Sequence, residues 1–298
     1  MDEIKAPFDD KLRQHPGQRR EESVGDVDTA FWVYGPEAAA TTVLLIHGFR
    51  GDHHGLESFA AELGTDFRCV IPDLPGFGES HDFPTAADVS AYAQWLVAFA
   101  AAIKGTTRLV AVGHSFGSIV VSAALEAGLV TDDVVLINPI AKNALKGPRA
   151  IMTRLAIFYY WFASVLPERL GFAVLRNSLI VRIMSVTMAK TSDAELRAWI
   201  HDQHDRYFSH FHSRKAVMQA FTTSVENDVS QYSSGLSRPV LILAADKDDI
   251  TDIVSQRNFA ATLPDVEFHE ISGVGHLIHY EAYVWAATLI QMRIERMS

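Results

Sequence analysis

Cysteine is nearly absent from this chain of 298 residues. Cys69 stands alone inside the strand-like run CVIP, so the fold has no intrachain disulfide and a buried, inert thiol is expected there. Basic charge is also scarce. With 26 lysines and arginines against 36 aspartates and glutamates, the formal net charge is −10. That balance excludes a sequence-independent grip on nucleic-acid phosphates and leaves small molecules or neutral lipids as expected partners. No window reaches the ~18 uncharged residues of a membrane-spanning helix. The first 22 residues, MDEIKAPFDDKLRQHPGQRREE, lack the apolar centre of a signal peptide and read as a polar arm, partly disordered, so residence in the cytoplasm is expected. Internal repeats and low-complexity tracts are missing too.

What is present is the composition of a globular protein, 48% hydrophobic and 21% charged, with length for a full core. Val24 to Tyr34 alternates like edge strands. Buried strands are expected at Thr42 to Ile46, Phe67 to Ile71, Leu109 to Val112 and Val134 to Ile137, separated by helices at Leu56 to Leu63, Thr85 to Ile103 and Ser118 to Ala127. That alternation implies an α/β fold: a mostly parallel central sheet with helices on both faces. The rhythm then stops. Between residues 139 and 236 only helical segments appear, at Ile151 to Leu166, Leu170 to Met188, Asp193 to Phe208 and Ser213 to Val225, and they read as an inserted helical cap. Strands resume at Pro239 to Ala245 and Val266 to Ile271, with helices at Ile253 to Leu263 and Tyr280 to Arg296. The expected division is an arm at 1–22, a core at 23–138 and 237–298, and a cap at 139–236.

Arg108 to Ser122, RLVAVGHSFGSIVVS, has the grammar of a strand, a sharp turn and a helix, with Ser115 at the tip of the G-x-S-x-G pentapeptide. Acyl transfer by serine needs a base, an acid to hold the base in the right tautomer, and amides that meet the oxyanion. Candidates follow in the chain order Ser, Asp, His: Asp246-Lys247-Asp248-Asp249 leaves one strand, and Gly273-Val274-Gly275-His276 leaves the last.

With these parts in place, the chain resembles the α/β-hydrolases from about Val24 to its end. The matching segments are HGFRG (47–51), DLPGFGES (73–80), GHSFG (113–117), VLILAADKDD (240–249) and GVGHLIHYE (273–281). The resemblance implies Ser115 as nucleophile, His276 as general base and acid, and Asp248 as the residue that orients it. Asp246 and Asp249 stay open as rivals to Asp248, whereas Asn138-Pro139, the exit of the preceding strand, cannot carry the charge. The resemblance also implies an oxyanion hole from the backbone N–H groups of Phe49 and Phe116, and a structural aspartate at Asp73. His47 and His114 are expected to buttress loops. His53 and His54 are expected to be solvated loop residues near the entrance.

His201, His204, His210 and His212, beside Asp202 and Asp205, invite a metal reading, but their spacing fits no closed zinc pattern and a water-facing polar helix face is expected. Neither a metal nor an organic cofactor is implied. The segment from Ile151 to Phe162 is too continuously apolar for one buried helix stripe. It packs between cap and core, or it lines an acyl tunnel or touches a lipid surface, with peripheral membrane contact through 155–166. His114, Phe158, Trp161, Phe162 and Leu277 are the expected substrate-pocket residues.

The expected activity is hydrolysis of carboxylic (acyl) esters, small-molecule or lipid-like and with an apolar acyl group, through an acyl-enzyme on Ser115. A carbon-carbon bond hydrolase is an alternative, although relatives with that activity carry Asn where His114 stands. Acyl transfer or perhydrolysis by the same triad is another alternative. A third, from a different class, is a non-catalytic binding protein on this scaffold. An aspartate nucleophile, needed for epoxide hydrolysis and dehalogenation, is excluded by Ser115. No oligomeric state follows from the sequence.

Overall fold

The computed structural model describes residues 4–105, 107–143 and 150–296, with backbone alone for 150–152. The chain opens with helix α1 (Asp9–Gln14), strands β1 (Gln18–Val24), β2 (Val27–Tyr34) and β3 (Thr41–Ile46), and α2 (Glu57–Leu63). It continues through β4 (Arg68–Pro72), α3 (Val89–Lys104), β5 (Arg108–His114), α4 (Phe116–Glu126) and β6 (Asp133–Ile137). Five helices follow: α5 (Ala150–Val165), α6 (Glu168–Leu175), α7 (Ser178–Met188), α8 (Ala194–Tyr207) and α9 (Arg214–Glu226). The chain closes with β7 (Val240–Ala245), α10 (Ile253–Ala260), β8 (Val266–Ile271), α11 (Ile278–Glu281) and α12 (Tyr283–Arg296).

The strands form one eight-stranded sheet in the order β1-β2-β4-β3-β5-β6-β7-β8. β1 and β2 form a hairpin and β2 runs antiparallel to β4, while the remaining pairs are parallel. Parallel strands need crossover helices on both faces, so their side chains find apolar neighbours on either side. TTVLLI in β3 and VLILAA in β7 are accordingly buried at every position. Leu96, Phe99, Ile119 and Val120 of α3 and α4 pack one face; Phe59, Leu63, Ala286 and Ile290 of α2 and α12 pack the other. Cys69 lies buried in the second layer, and burial pushes its thiol up to about 12, which makes it unreactive.

Two expectations need correction. The N-terminal arm is structured from Asp9 onward, as α1 and the edge strand β1, and Phe8 is buried edge-on against Trp199 of α8 at 5.4 Å and Tyr283 of α12 at 5.5 Å. Polar composition hid this: β1 is a mostly exposed edge strand, and one aromatic ring holds the segment down. The expected single helix from Leu170 to Met188 is two. Asn177 ends the first and caps the second, its side chain accepting from Leu179 N at 3.0 Å and Ile180 N at 3.2 Å.

The helical insertion shares the core of the sheet. Tyr160, Leu175, Phe211, Val217 and Phe221 join the apolar cluster of α3 and α4. Its residues 210–212 also pair with the loop after β4, through Gly78 N to His210 O at 2.9 Å and His212 N to Gly76 O at 3.2 Å. Phe8→Ala is expected to cost about 3 kcal/mol of stability in urea unfolding, since it empties a buried aromatic site; a free arm predicts no change.

Candidate active site

The site begins at the turn between β5 and α4. Ser115 sits at φ 54° and ψ −118°, a conformation that L residues rarely adopt. A Cβ on Gly113 would lie 2.5 Å from Gly117 O, and one on Gly117 would lie 2.2 Å from Ile46 O, so the G-x-S-x-G pattern is required by backbone contact. Ser115 N bonds to Ile137 O at 3.0 Å, fixing the turn to the end of β6.

The ends of β7 and β8 bring the partners. His276 Nε2 lies 2.8 Å from Ser115 Oγ, and His276 Nδ1 lies 2.7 Å from Asp248 Oδ2. The carboxylate accepts, so Nδ1–H donates to it and Nε2 is left to accept from the serine hydroxyl. Asp248 Oδ1 accepts from Ile250 N at 2.7 Å and Thr251 N at 3.1 Å. All three side chains are buried. Of the rivals, Asp246 accepts from Gly273 N at 2.8 Å and Asp249 pairs with Lys190 at 2.5 Å. The structure therefore brings Asp248, and neither neighbour, to His276.

A ring of buried polar groups holds this chain of bonds. His114 lies behind His276 and donates from Nε2 to the His276 carbonyl at 3.0 Å; burial and the His276 ring push its pKa down to about 3. Asn138, at φ 43°, donates to the same carbonyl at 3.0 Å and accepts from Ala245 N at 2.8 Å, linking β6, β7 and the histidine loop. Glu281 accepts from Gly275 N and Thr191 N, both at 2.7 Å, joining that loop to the α7–α8 linker. His47 accepts from Leu74 N at 2.9 Å and its Nδ1 meets Gly48 O at 2.8 Å, and burial lowers its pKa. Asp73 accepts from His53 N at 2.7 Å and from Glu79 N at 2.8 Å, bracing the turn after β4.

Sequence reasoning passed over Arg50. It has φ 62° and follows Phe49 directly, and its buried guanidinium reaches into the insertion. Nε donates to Phe208 O at 3.0 Å, and Nη2 to Leu175 O at 2.7 Å and Ser209 Oγ at 3.2 Å; Nη1 lies 3.4 Å from the Tyr160 hydroxyl. The ring of Phe49 meets Tyr160 and Phe221, each at 5.7 Å. An arginine between Phe49 and Gly51 in HGFRG carried a signal in retrospect: a cation in an otherwise apolar and small segment needs a partner out of view. Asn138 and Glu281 gave none.

Several other expectations are overturned. Phe158, Trp161 and Phe162 are exposed on the outer face of α5, because helical spacing turns Tyr160 and Ala163 inward instead. Leu277 is buried with Met188, Trp199 and Tyr280 rather than lining a pocket, and His114 is a support behind His276. The side chains of Ile151 and Met152 lie outside the described residues. His53 is buried and bonded to Asp73, and His54 is half-buried against Asp52, so neither is a solvated loop residue.

The polar face of α8 is partly interior. His204 and Asp202 are buried; His201 and His204 meet the Ser185 hydroxyl of α7 at 2.6 and 2.7 Å, and burial pushes His204 down to about 3. These histidines do not converge with His210, which faces Asp52, or His212, which faces His81. Asp52, His53 and His54 place ligand atoms within 4.8 Å of one another, but His53 Nδ1 faces Asp73 and His54 Nδ1 faces Asp52. Burial alone would raise the Asp52 carboxyl, yet the His210 and His54 imidazoles beside it outweigh that and hold it below the usual range.

The sequence profile of the alpha/beta hydrolase fold matches residues 41–283. No curated protein sequence matches the chain. Among solved structures, a thermophilic esterase from Thermogutta terrifontis with malate bound is 22% identical, over 94% of this chain and 98% of that one, with a TM-score of 0.72. An esterase from Exiguobacterium antarcticum is 14% identical over 93% and 100%, with a TM-score of 0.75. A putative lipase from Acinetobacter baumannii is 18% identical over 100% and 99%, with a TM-score of 0.72. At these identities the likeness is one of fold.

The buried histidines set a pH dependence. Unfolded, an imidazole takes its proton near about pH 6.5; folded, His114 and His204 resist protonation until about 3, and His279 is pushed in the same direction by burial. Below ~pH 6.5 the unfolded chain thus binds more protons. The contribution of these three histidines is expected to be level above ~pH 7, and stability to fall on acidification below ~pH 6.5 by on the order of 1 kcal/mol per pH unit for each of them, read from urea midpoints.

Proposed function

The chain belongs to the alpha/beta hydrolase fold family, and on that footing we propose that it is a serine hydrolase of carboxylic esters, working through an acyl-enzyme on Ser115. One observation carries this reading: the continuous chain from Ser115 Oγ through His276 to Asp248, with contacts of 2.8 and 2.7 Å. His276 Nε2 takes the hydroxyl proton as Oγ attacks the ester carbonyl, and Asp248 stabilises the imidazolium that results. His276 then returns the proton to the leaving alcohol. Water, activated by the same nitrogen, releases the acid.

The charge that develops on the carbonyl oxygen needs donors already in place. The amides of Phe49 and Phe116 suit this role. Gly48 abuts Ser115, Phe116 opens α4 where the helix dipole favours an anion, and neither amide is engaged by another group among the described residues. His114, held neutral by burial, adds no competing positive charge beside His276. An apolar acyl group suits the rings of Phe49, Tyr160 and Phe221, which meet beside the oxyanion loop under the helical insertion acting as a cap. The esterases and the putative lipase among the similar structures point the same way. Arg50 is a positioning residue in this scheme, holding the Phe49 peptide to the insertion.

A fluorophosphonate probe is expected to label the wild type and fail on Ser115→Ala. Asp248→Asn should lower kcat on p-nitrophenyl esters by about 10⁴-fold, while Asp246→Asn and Asp249→Asn stay within a few-fold. Arg50→Ala should lower kcat by roughly tenfold or more with a much smaller change in KM, because it loosens an oxyanion donor rather than substrate contacts, and Arg50→Lys should recover part of the loss.

A further inference from the structure

The insertion presents an apolar surface to solvent where a monomeric protein normally buries one. On α5, Leu155, Phe158, Trp161, Phe162 and Val165 recur at helical spacing and are each 43–58% exposed. Their rings touch one another, Phe158 meeting Trp161 at 5.7 Å and Phe162 at 6.1 Å, so the patch is contiguous. α7 carries a second stripe, Leu179, Ile183 and Val186, 57–67% exposed. Exposed aromatic patches of this kind mark interaction surfaces.

Charge identifies the occupant. Residues 150–190 hold five basic side chains against the single acid Glu168, in a chain whose net charge is −10; Arg182 and Lys190 are paired with Asp205 and Asp249, which leaves Arg154, Arg169 and Arg176 as the positive charge of this face. Arg154 and Arg169 are exposed next to the two ends of α5. A second copy of the same face would meet like charge, whereas an anionic lipid surface meets opposite charge and apolar depth together. Length separates lying on a bilayer from crossing it. The stretch Glu168–Met188 is apolar enough to span and only 22% buried, but Asn177 divides it into helices of 8 and 11 residues, and a crossing needs about 20.

We propose that the outer face of α5, flanked by Arg154 and Arg169, docks the protein on an anionic lipid bilayer and presents its site to esters carried in that bilayer. This deepens the ester-hydrolase reading and rests on it for the substrate class alone. Tyr160, on the opposite face of α5, meets Phe49, so the docking face stands one helix diameter, roughly 10 Å, from the oxyanion loop.

The test is co-sedimentation of the full chain with phosphatidylcholine vesicles, with and without phosphatidylglycerol, alongside Trp fluorescence. Binding to the phosphatidylglycerol vesicles is expected, weakening as salt rises, with a blue shift. Arg154→Glu with Arg169→Glu should reduce partitioning by roughly tenfold or more, and Phe158→Ser with Trp161→Ser should do the same at any salt. Labelling by fluorophosphonate and turnover of a short soluble ester serve as fold controls and should match wild type in every variant. Absence of vesicle binding, or binding indifferent to both pairs, overturns the proposal. So does a dimer in sedimentation velocity that dissolves in Phe158→Ser with Trp161→Ser without vesicle binding. Loss of labelling in the wild type, with vesicle binding intact, removes the hydrolase reading and leaves the docking surface standing.

Discussion

A serine held at φ 54° between a buried parallel strand and the helix that follows sets the geometry around it. The turn is tight enough that Gly113 and Gly117 have no room for a Cβ, and it points Ser115 out of the carboxyl edge of the sheet. The neighbouring strands deliver their loops to the same edge: β3 brings Gly48 and Phe49, β7 brings Asp248, and β8 brings His276. Strain of this sort persists only where surrounding bonds over-determine it. All three non-glycine residues with positive φ among the described residues, Arg50, Ser115 and Asn138, belong to this edge.

The helical insertion is tied to that edge by polar bonds as well as by apolar packing. Arg50 reaches carbonyls or hydroxyls on three segments of the insertion, and Glu281 couples the histidine loop to the α7–α8 linker. A buried guanidinium whose donors are spent on neutral acceptors depends on the insertion for its solvation. Displacing the insertion therefore exposes that charge and releases the peptide beside Phe49. The position of the insertion and the setting of the loop from His47 to Gly51 are thus mechanically linked.

Histidines take two roles here. Among the described residues, His276 links the Ser115 hydroxyl to the Asp248 carboxylate. His47, His114 and His204 are buried, neutral hydrogen-bonding parts, with pKa values pushed down by desolvation. Burial converts an ionisable ring into a rigid donor and acceptor pair.

The strand-helix alternation, the glycine elbow and the order Ser, Asp, His were legible in the sequence because each rests on local periodicity or on spacing near a strand end. Phe8, Asn138 and Glu281 were not legible, and Arg50 only as a cation lacking a local partner, since their roles depend on partners 90 or more residues away or on a single ring in a polar context. The same limit decided the aromatic run on α5: its sequence shows apolar residues all round, and only docking against Phe49 and Phe221 determined that Tyr160 faces the site while Phe158, Trp161 and Phe162 face out. By itself the sequence determined that a serine, a histidine and a group of aspartates stand at strand ends of one sheet edge, because strand periodicity and glycine turns are local signals. Which of three adjacent aspartates meets His276, and which side of the insertion meets solvent, were decided by tertiary packing, because both depend on direction in space rather than on order along the chain.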